Sequence, residues 1–146
     1  MYPVAKALGL LIKDHHILLE EQEGKHSKGE GVFYRPIGGT IELGETSKEA
    51  LIREFNEEMK ADIIIQDYVT CLENIFTIDN NLAHEIIQIY MVDFTDKTLY
   101  EQEIFEITEG IHVTYAKWFS LAEILEGKKV LFPDGLFNVL QEKFQK

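Results

Sequence analysis

A chain of 146 residues and 16.9 kDa has the length of one ordinary domain and is too short for two separate cores, so one active surface is expected. Apolar residues at 45% and charged residues at 27% exclude disorder and fibrous architecture, and runs such as Ala7 to Ile12 fall far short of the roughly 20 residues a membrane span needs. Fourteen basic against 26 acidic residues give a net charge of −12, which should repel nucleic acid polymers and anionic membrane surfaces, so a phosphate-bearing ligand would need a cation as intermediary.

The opening residues lack the basic, apolar and small-residue zones of a signal peptide, and the single cysteine, Cys71, cannot form an internal disulfide. A reducing cytoplasm is the expected location. Cys71, in a β-rich stretch, reads as a core residue.

In chain order, Val4 to Lys13 and His16 to Gln22 read as a β-hairpin around Asp14-His15. Glu23 to Gly31, with three glycines, two lysines and no apolar residue, has the composition of a solvated surface loop. A short strand comes next, Val32 to Arg35, and then a turn, Pro36-Ile37-Gly38-Gly39. From Thr46 to about Lys60 the pattern is helical, with Leu51, Ile52, Phe55 and Met59 on one face and Thr46 and Glu49 spaced as a capping box.

β-branched and aromatic residues return in Ile63 to Ile65, Tyr68 to Leu72, Ile75 to Ile78 and, most strongly, Glu85 to Phe94, apolar on both faces like a central strand. Glu101, Glu103 and Glu106 read as part of an acidic, solvated loop. His112 to Phe119 is a further strand, Leu121 to Leu125 a short helix, and Pro133-Asp134-Gly135 introduces an amphipathic terminal helix. Each helix has a single apolar stripe, which predicts a mixed sheet flanked by helices in an α/β fold.

The first helix is at odds with its own propensity. At about 100° per residue, Glu54, Glu57 and Glu58 share one arc, well separated from the apolar one. Like charges at i,i+3 and i,i+4 destabilise a helix by roughly 0.2 to 0.5 kcal/mol each, and acids in its C-terminal half oppose the macrodipole. The context upstream argues for a ligand: Gly38-Gly39 allow close backbone approach, and the two arginines of the chain, Arg35 and Arg53, both lie here. Arginine's planar fork fixes a carboxylate or phosphate in one orientation, which lysine does not.

Gly39, five residues, Glu45, seven residues, then Arg53-Glu54-Phe55-Asn56-Glu57-Glu58 resembles the signature of the Nudix hydrolases. The resemblance implies a Nudix-type α/β/α sandwich with a mixed sheet between helices, one domain over residues 1–146. It implies Mg²⁺, with Mn²⁺ the alternative, and hydrolysis of a pyrophosphate linkage in a nucleoside diphosphate joined to a group X. A non-catalytic Nudix domain that only binds a nucleotide or sugar phosphate is the competing expectation. Two positions depart from the family pattern: Ile37 stands between Pro36 and the paired glycines, and Lys60 replaces the usual glycine after the last glutamate. Because a non-glycine residue is disfavoured in the left-handed region, the helix is expected to continue through Ala61.

Magnesium prefers oxygen ligands and is held by a few carboxylates plus substrate phosphates. The resemblance assigns Glu54, Glu57, Glu58 and the Gly39 carbonyl as metal ligands. Glu57, Arg53 and Glu45 form the expected catalytic set, with the last two pairing to orient the carboxylates. Arg35 and Tyr34 are the expected substrate contacts, with Lys25 a further candidate. The general base stays open among a glutamate of the signature and Glu101, Glu103 and Glu106. His84 reads as structural.

Overall fold

The computed structural model describes residues 2–144. Nine strands and three α-helices alternate along them: β1 Val4–Leu10, β2 Ile12–Lys13, β3 His16–His26, β4 Gly29–Arg35, β5 Ile37–Thr40, α1 Ser47–Met59, β6 Ile63–Ile78, β7 Asn81–Phe94, β8 Ile104–Glu109, β9 His112–Ser120, α2 Leu121–Ile124 and α3 Leu136–Phe144. A 3-10 turn, Lys97–Glu101, joins β7 to β8.

The strands form two sheets. One is mixed, in the order β5-β1-β7-β6, with β1 parallel to β7 and the other pairs antiparallel. The second is antiparallel and built on β3, which pairs with β9 on one side and with β2 and β4 on the other, while β8 extends it beyond β9. β7 is central, as its two apolar faces require: Val92 and Phe94 pack with α1, whereas Ile87 and Ile89 pack with α2 and α3. The α1 core also takes in Leu51, Phe55, Phe105 and Ala116; that of α2 and α3 takes in Leu8, Leu19, Leu121, Leu136 and Leu140. Helices thus cover opposite sides of the strands, the sandwich that the resemblance to the Nudix hydrolases implies.

Several expectations are corrected. The glycine-rich stretch after residue 22 is a hairpin, because β3 runs on to His26 and pairs back in register with β4 down to Gly29. Pro36 to Gly39 is not a turn: β5 lies antiparallel to β1, with Gly38 opposite Leu8 and Gly39 opposite Ala7. The three segments read between Ile63 and Ile78 are a single strand, whose alternation is broken by register shifts at Ile65/Asp67 and Tyr68/Thr70. Part of the acidic loop is strand β8, where Phe105 and Ile107 face the core. Cys71 is exposed, because β6 is an edge strand with one open face. Ile52, one step of about 100° from Leu51, lies off the buried stripe of α1 and is 44% exposed.

α1 starts as its sequence dictates. The Thr46 side chain accepts from the Glu49 N–H and the Glu49 carboxylate from the Thr46 N–H, a complete capping box. It ends otherwise than expected. Lys60 takes up the left-handed conformation (φ 56°, ψ 36°), so the helix stops at Met59, and the N–H of Ala61 reaches back to the Phe55 carbonyl. The Lys60 ammonium still serves the helix end, donating to the Glu57 carbonyl at 3.1 Å.

Candidate active site

Three elements bring the motif residues together. β5 carries Gly38 and Gly39, the loop after it carries Glu42 and Glu45, and α1 presents Arg53, Glu54, Glu57 and Glu58. The glycines permit the approach. Gly38 has φ +154°, and a Cβ there would lie 2.0 Å from the Ala7 carbonyl oxygen; a Cβ on Gly39 would lie 2.6 Å from the Glu54 carboxyl carbon. The β5 backbone therefore sits directly against a carboxylate of the helix.

Arg53 organises the cluster. Its Nε and one terminal nitrogen donate to the two oxygens of Glu45 at 2.6 and 2.9 Å, a bidentate pair, and the same terminal nitrogen also holds the Thr40 carbonyl at 3.0 Å. The other terminal nitrogen donates to Glu54 at 2.9 Å and Glu57 at 3.2 Å. Hydrogen bonds from Arg53 and from the Glu42 N–H hold the Glu45 carboxyl down at about 2. Arg53 stays charged throughout, held so chiefly by its bond to Glu45. Arg53, Glu45 and Glu54 are thus joined in one hydrogen-bonded cluster.

Glu58 differs from its neighbours. It is 4% exposed, and neither of its carboxylate oxygens has a hydrogen-bond partner among the described residues. Burial pushes its pKa up to about 10, helped by the Glu54 carboxylate and, farther along, by Glu109 and Glu20. Removing a carboxylate from water without a donor or counter-charge is costly, and native proteins keep such a group where something else satisfies it. Glu57, in contrast, is 59% exposed at its side chain and turned towards Arg53. Among the described residues no three acid, histidine or cysteine side chains converge on one point. One terminal nitrogen of Arg53 holds both Glu54 and Glu57.

A cleft of about 400 Å³ opens over the cluster, lined by Gly38, Gly39, Glu54, Glu57 and Glu58 on one side and Lys6, Arg35 and Glu109 on the other. Arg35 donates from Nε to the buried Glu20 at 3.1 Å, its one side-chain partner among the described residues. Tyr34 points the other way, as alternation along β4 requires: it packs edge-on against Phe119 and under the Lys129 ammonium, and lines none of this cleft. Lys25 is ion-paired with Asp79 at 2.5 Å. Of the acids after β7, Glu101, Glu103 and Glu106 stay outside the cleft and Glu109, at the end of β8, enters it. A larger groove of about 770 Å³ across β3, β8 and β9 shares Arg35 and Glu109 but holds no motif residue.

The sequence reading missed Lys6, Glu20 and Glu109. Each comes from a strand far from the motif in sequence. The one available signal was a charged residue at the end of an apolar alternation or run, Lys6 before Leu8 and Leu10, Glu20 after Ile17, Leu18 and Leu19, and Glu109 after Phe105 and Ile107.

The NUDIX domain model matches residues 3–139. The chain belongs to the Nudix family. Solved structures share the fold across nearly the whole chain. The solution structure of the E. coli ORF135 protein matches with a TM-score of 0.66 at 20% identity, covering 97% of this chain and 88% of that one. A MutT Nudix hydrolase from Burkholderia pseudomallei matches with a TM-score of 0.66 at 16% identity, covering 98% and 99%. An ADP-ribose pyrophosphatase of Methanocaldococcus jannaschii is 40% identical over 58 residues, 40% of this Nudix chain but only 32% of that enzyme's length. No helix among the described residues is long and apolar enough to cross a membrane.

Proposed function

We propose that this Nudix chain is a single cytoplasmic domain that hydrolyses a phosphoanhydride bond in a nucleoside diphosphate linked to a group X, with Mg²⁺ or Mn²⁺ as its cation. The observation that carries this reading is Glu58: a buried carboxylate without a donor, facing Glu54 beneath the Gly39 backbone, in a cleft rimmed by Lys6 and Arg35. The donor set consists of oxygens, the crowding of like charge calls for a cation, and the glycine leaves room at the cluster, so the residues present fit a hard divalent metal.

Glu54, Glu57, Glu58 and the Gly39 carbonyl would hold it. When bound, the cation supplies charge neutralisation at the phosphoryl oxygens and a lowered pKa for its water. Arg53, locked on Glu45, fixes the Glu54 carboxylate from behind. Arg35 and Lys6 at the rim are placed to take non-bridging phosphate oxygens. Water attacks one phosphorus, the bond from that phosphorus to the bridging oxygen breaks, and a carboxylate at the cleft accepts the water proton. The products are two phosphate-bearing molecules.

Turnover of a panel of nucleoside diphosphate derivatives with Mg²⁺, read as released phosphate groups, tests the reading. Glu58→Gln should lower kcat by more than about a hundredfold, beyond the roughly 10- to 100-fold typical of residues standing behind metal ligands. A domain that only binds nucleotides would show no turnover in the parent chain and a changed affinity alone in the variant.

A further inference from the structure

Beside the acidic cleft lies a second, smaller cavity of about 150 Å³, lined by Lys6, His26, Phe33, Phe76, Glu85 and Phe132 among others. It shares Lys6 and Arg35 with the cleft, so the two adjoin at those side chains. Phe76 and Phe132 meet edge to face at 6.4 Å, and the His26 ring packs on Phe33 at 5.3 Å. An apolar cavity of about this volume accommodates one six-membered aromatic ring.

Lys6 and Glu85 are out of character for their positions. Lys6 continues the stripe of Leu8 and Leu10 along β1, and Glu85 that of Ile87 and Ile89 along β7, facing the α2 and α3 core. They pair at 2.7 Å through Glu85 Oε2, and the ammonium also lies 5.6 Å from the centre of the Phe132 ring. Glu85 Oε1 is buried and has no hydrogen-bond partner among the described residues. A carboxylate only accepts, so its free lone pairs suit an N–H and repel a carbonyl edge.

We propose that Glu85 Oε1 accepts a hydrogen bond from an N–H on the edge of a nucleobase lodged among Phe33, Phe76 and Phe132, and so sets the base specificity of the site. The aromatic walls stack the base, Lys6 holds the carboxylate in orientation, and the diphosphate runs past Lys6 and Arg35 to the acidic cluster. The proposal rests on the hydrolase reading only for its turnover assay.

The experiment compares kcat/KM with Mg²⁺ for the four common nucleoside 5′-diphosphates, purine riboside 5′-diphosphate, whose base carries no N–H on its six-membered ring, and base-free ribose 5-diphosphate. The native chain should favour at least one base bearing an N–H over both controls by about ten- to a hundredfold. In Glu85→Gln, Lys6 retains the amide oxygen and the NH₂ turns inward, so the ratio of kcat/KM for the favoured N–H-bearing base to that for purine riboside 5′-diphosphate should collapse towards one. A native chain that treats purine and N–H-bearing bases alike overturns the proposal, as does a variant whose ratio is unchanged. If none of these diphosphates is turned over, their lack of a group X accounts for it, and the hydrolase reading is judged on the X-linked derivatives instead. Calorimetric binding of nucleoside 5′-monophosphates without metal then decides the proposal: N–H-bearing bases binding about tenfold tighter to the native chain than to Glu85→Gln supports it, and equal affinity overturns it.

Discussion

A methyl group on residue 39 would stand 2.6 Å from the Glu54 carboxyl carbon and within 2.8 Å of both its oxygens, closer than van der Waals contact allows. Gly39→Ala must therefore displace either the β5 backbone or the carboxylate that Arg53 holds. A misplacement near 1 Å costs catalysis on the order of a hundredfold, and a loss of that size is expected in kcat/KM with Mg²⁺, with thermal stability much less affected. If activity survives, Glu54 and the Gly39 backbone do not act together. The motif residues were legible because they are local: a fixed spacing along one short strand, the loop after it and one helix places them without knowledge of the rest of the fold. Glu20, Glu85, Glu109 and Lys6 were not, because strand pairing over tens of residues brings them in. Tyr34 illustrates the limit from the other side, since adjacency to Arg35 in sequence places it on the opposite face of β4.

α1 shows how an element can be read at one end and misread at the other. Its start is encoded in the Thr46 and Glu49 side chains, which satisfy the orphan N–H groups reciprocally. Its end is imposed by the chain leading into β6, because Ala61 and Ile63 are buried in the α1 core and the backbone must turn sharply to reach it. The left-handed Lys60 costs roughly 1 to 2 kcal/mol, against about 0.4 to 1 kcal/mol for the extra freedom glycine has when unfolded. Allowing for the lost bond to the Glu57 carbonyl, Lys60→Gly should stabilise the chain by about 0.5 kcal/mol, a rise of roughly 1 to 2 °C in Tm by calorimetry. A fall would show that the lysine contact outweighs the backbone strain. β6 was misread for a related reason: Gln66 and Val69 are extra residues against β7, and each resets the alternation on which a strand is recognised. β8 was hidden because it follows Glu101 and Glu103 and turns Glu106 outward, so an acidic composition masked the inner row of Phe105 and Ile107.

At the scale of the whole molecule, a pair that lines no part of the cleft adds its own pH dependence to folding. Tyr100 donates to Asp93, which also receives the Lys97 ammonium at 2.6 Å. Burial alone would raise the Asp93 carboxyl, but these two donors outweigh it and hold it below its usual 3.8. Burial, then Asp93, push the Tyr100 hydroxyl up to about 12. The lowered acid contributes stability above pH 3.8 that is lost as pH falls through its folded value; the raised phenol contributes stability in full below pH 10 that is lost as pH rises through about 12. Tyr100→Phe should therefore be least stable relative to the parent between these limits, the gap narrowing on both sides in denaturant titrations from pH 3 to 12. A constant gap would mean that packing alone is lost. The two irregularities of β6 have a consequence at this scale as well. The strand runs 16 residues along a sheet margin and leaves Ile64, Tyr68 and Ile75 open to solvent, a composition that invites chains to zip together into fibrils. By kinking that margin twice, Gln66 and Val69 deny an incoming chain any long straight template and so help keep copies of the protein apart as their concentration rises.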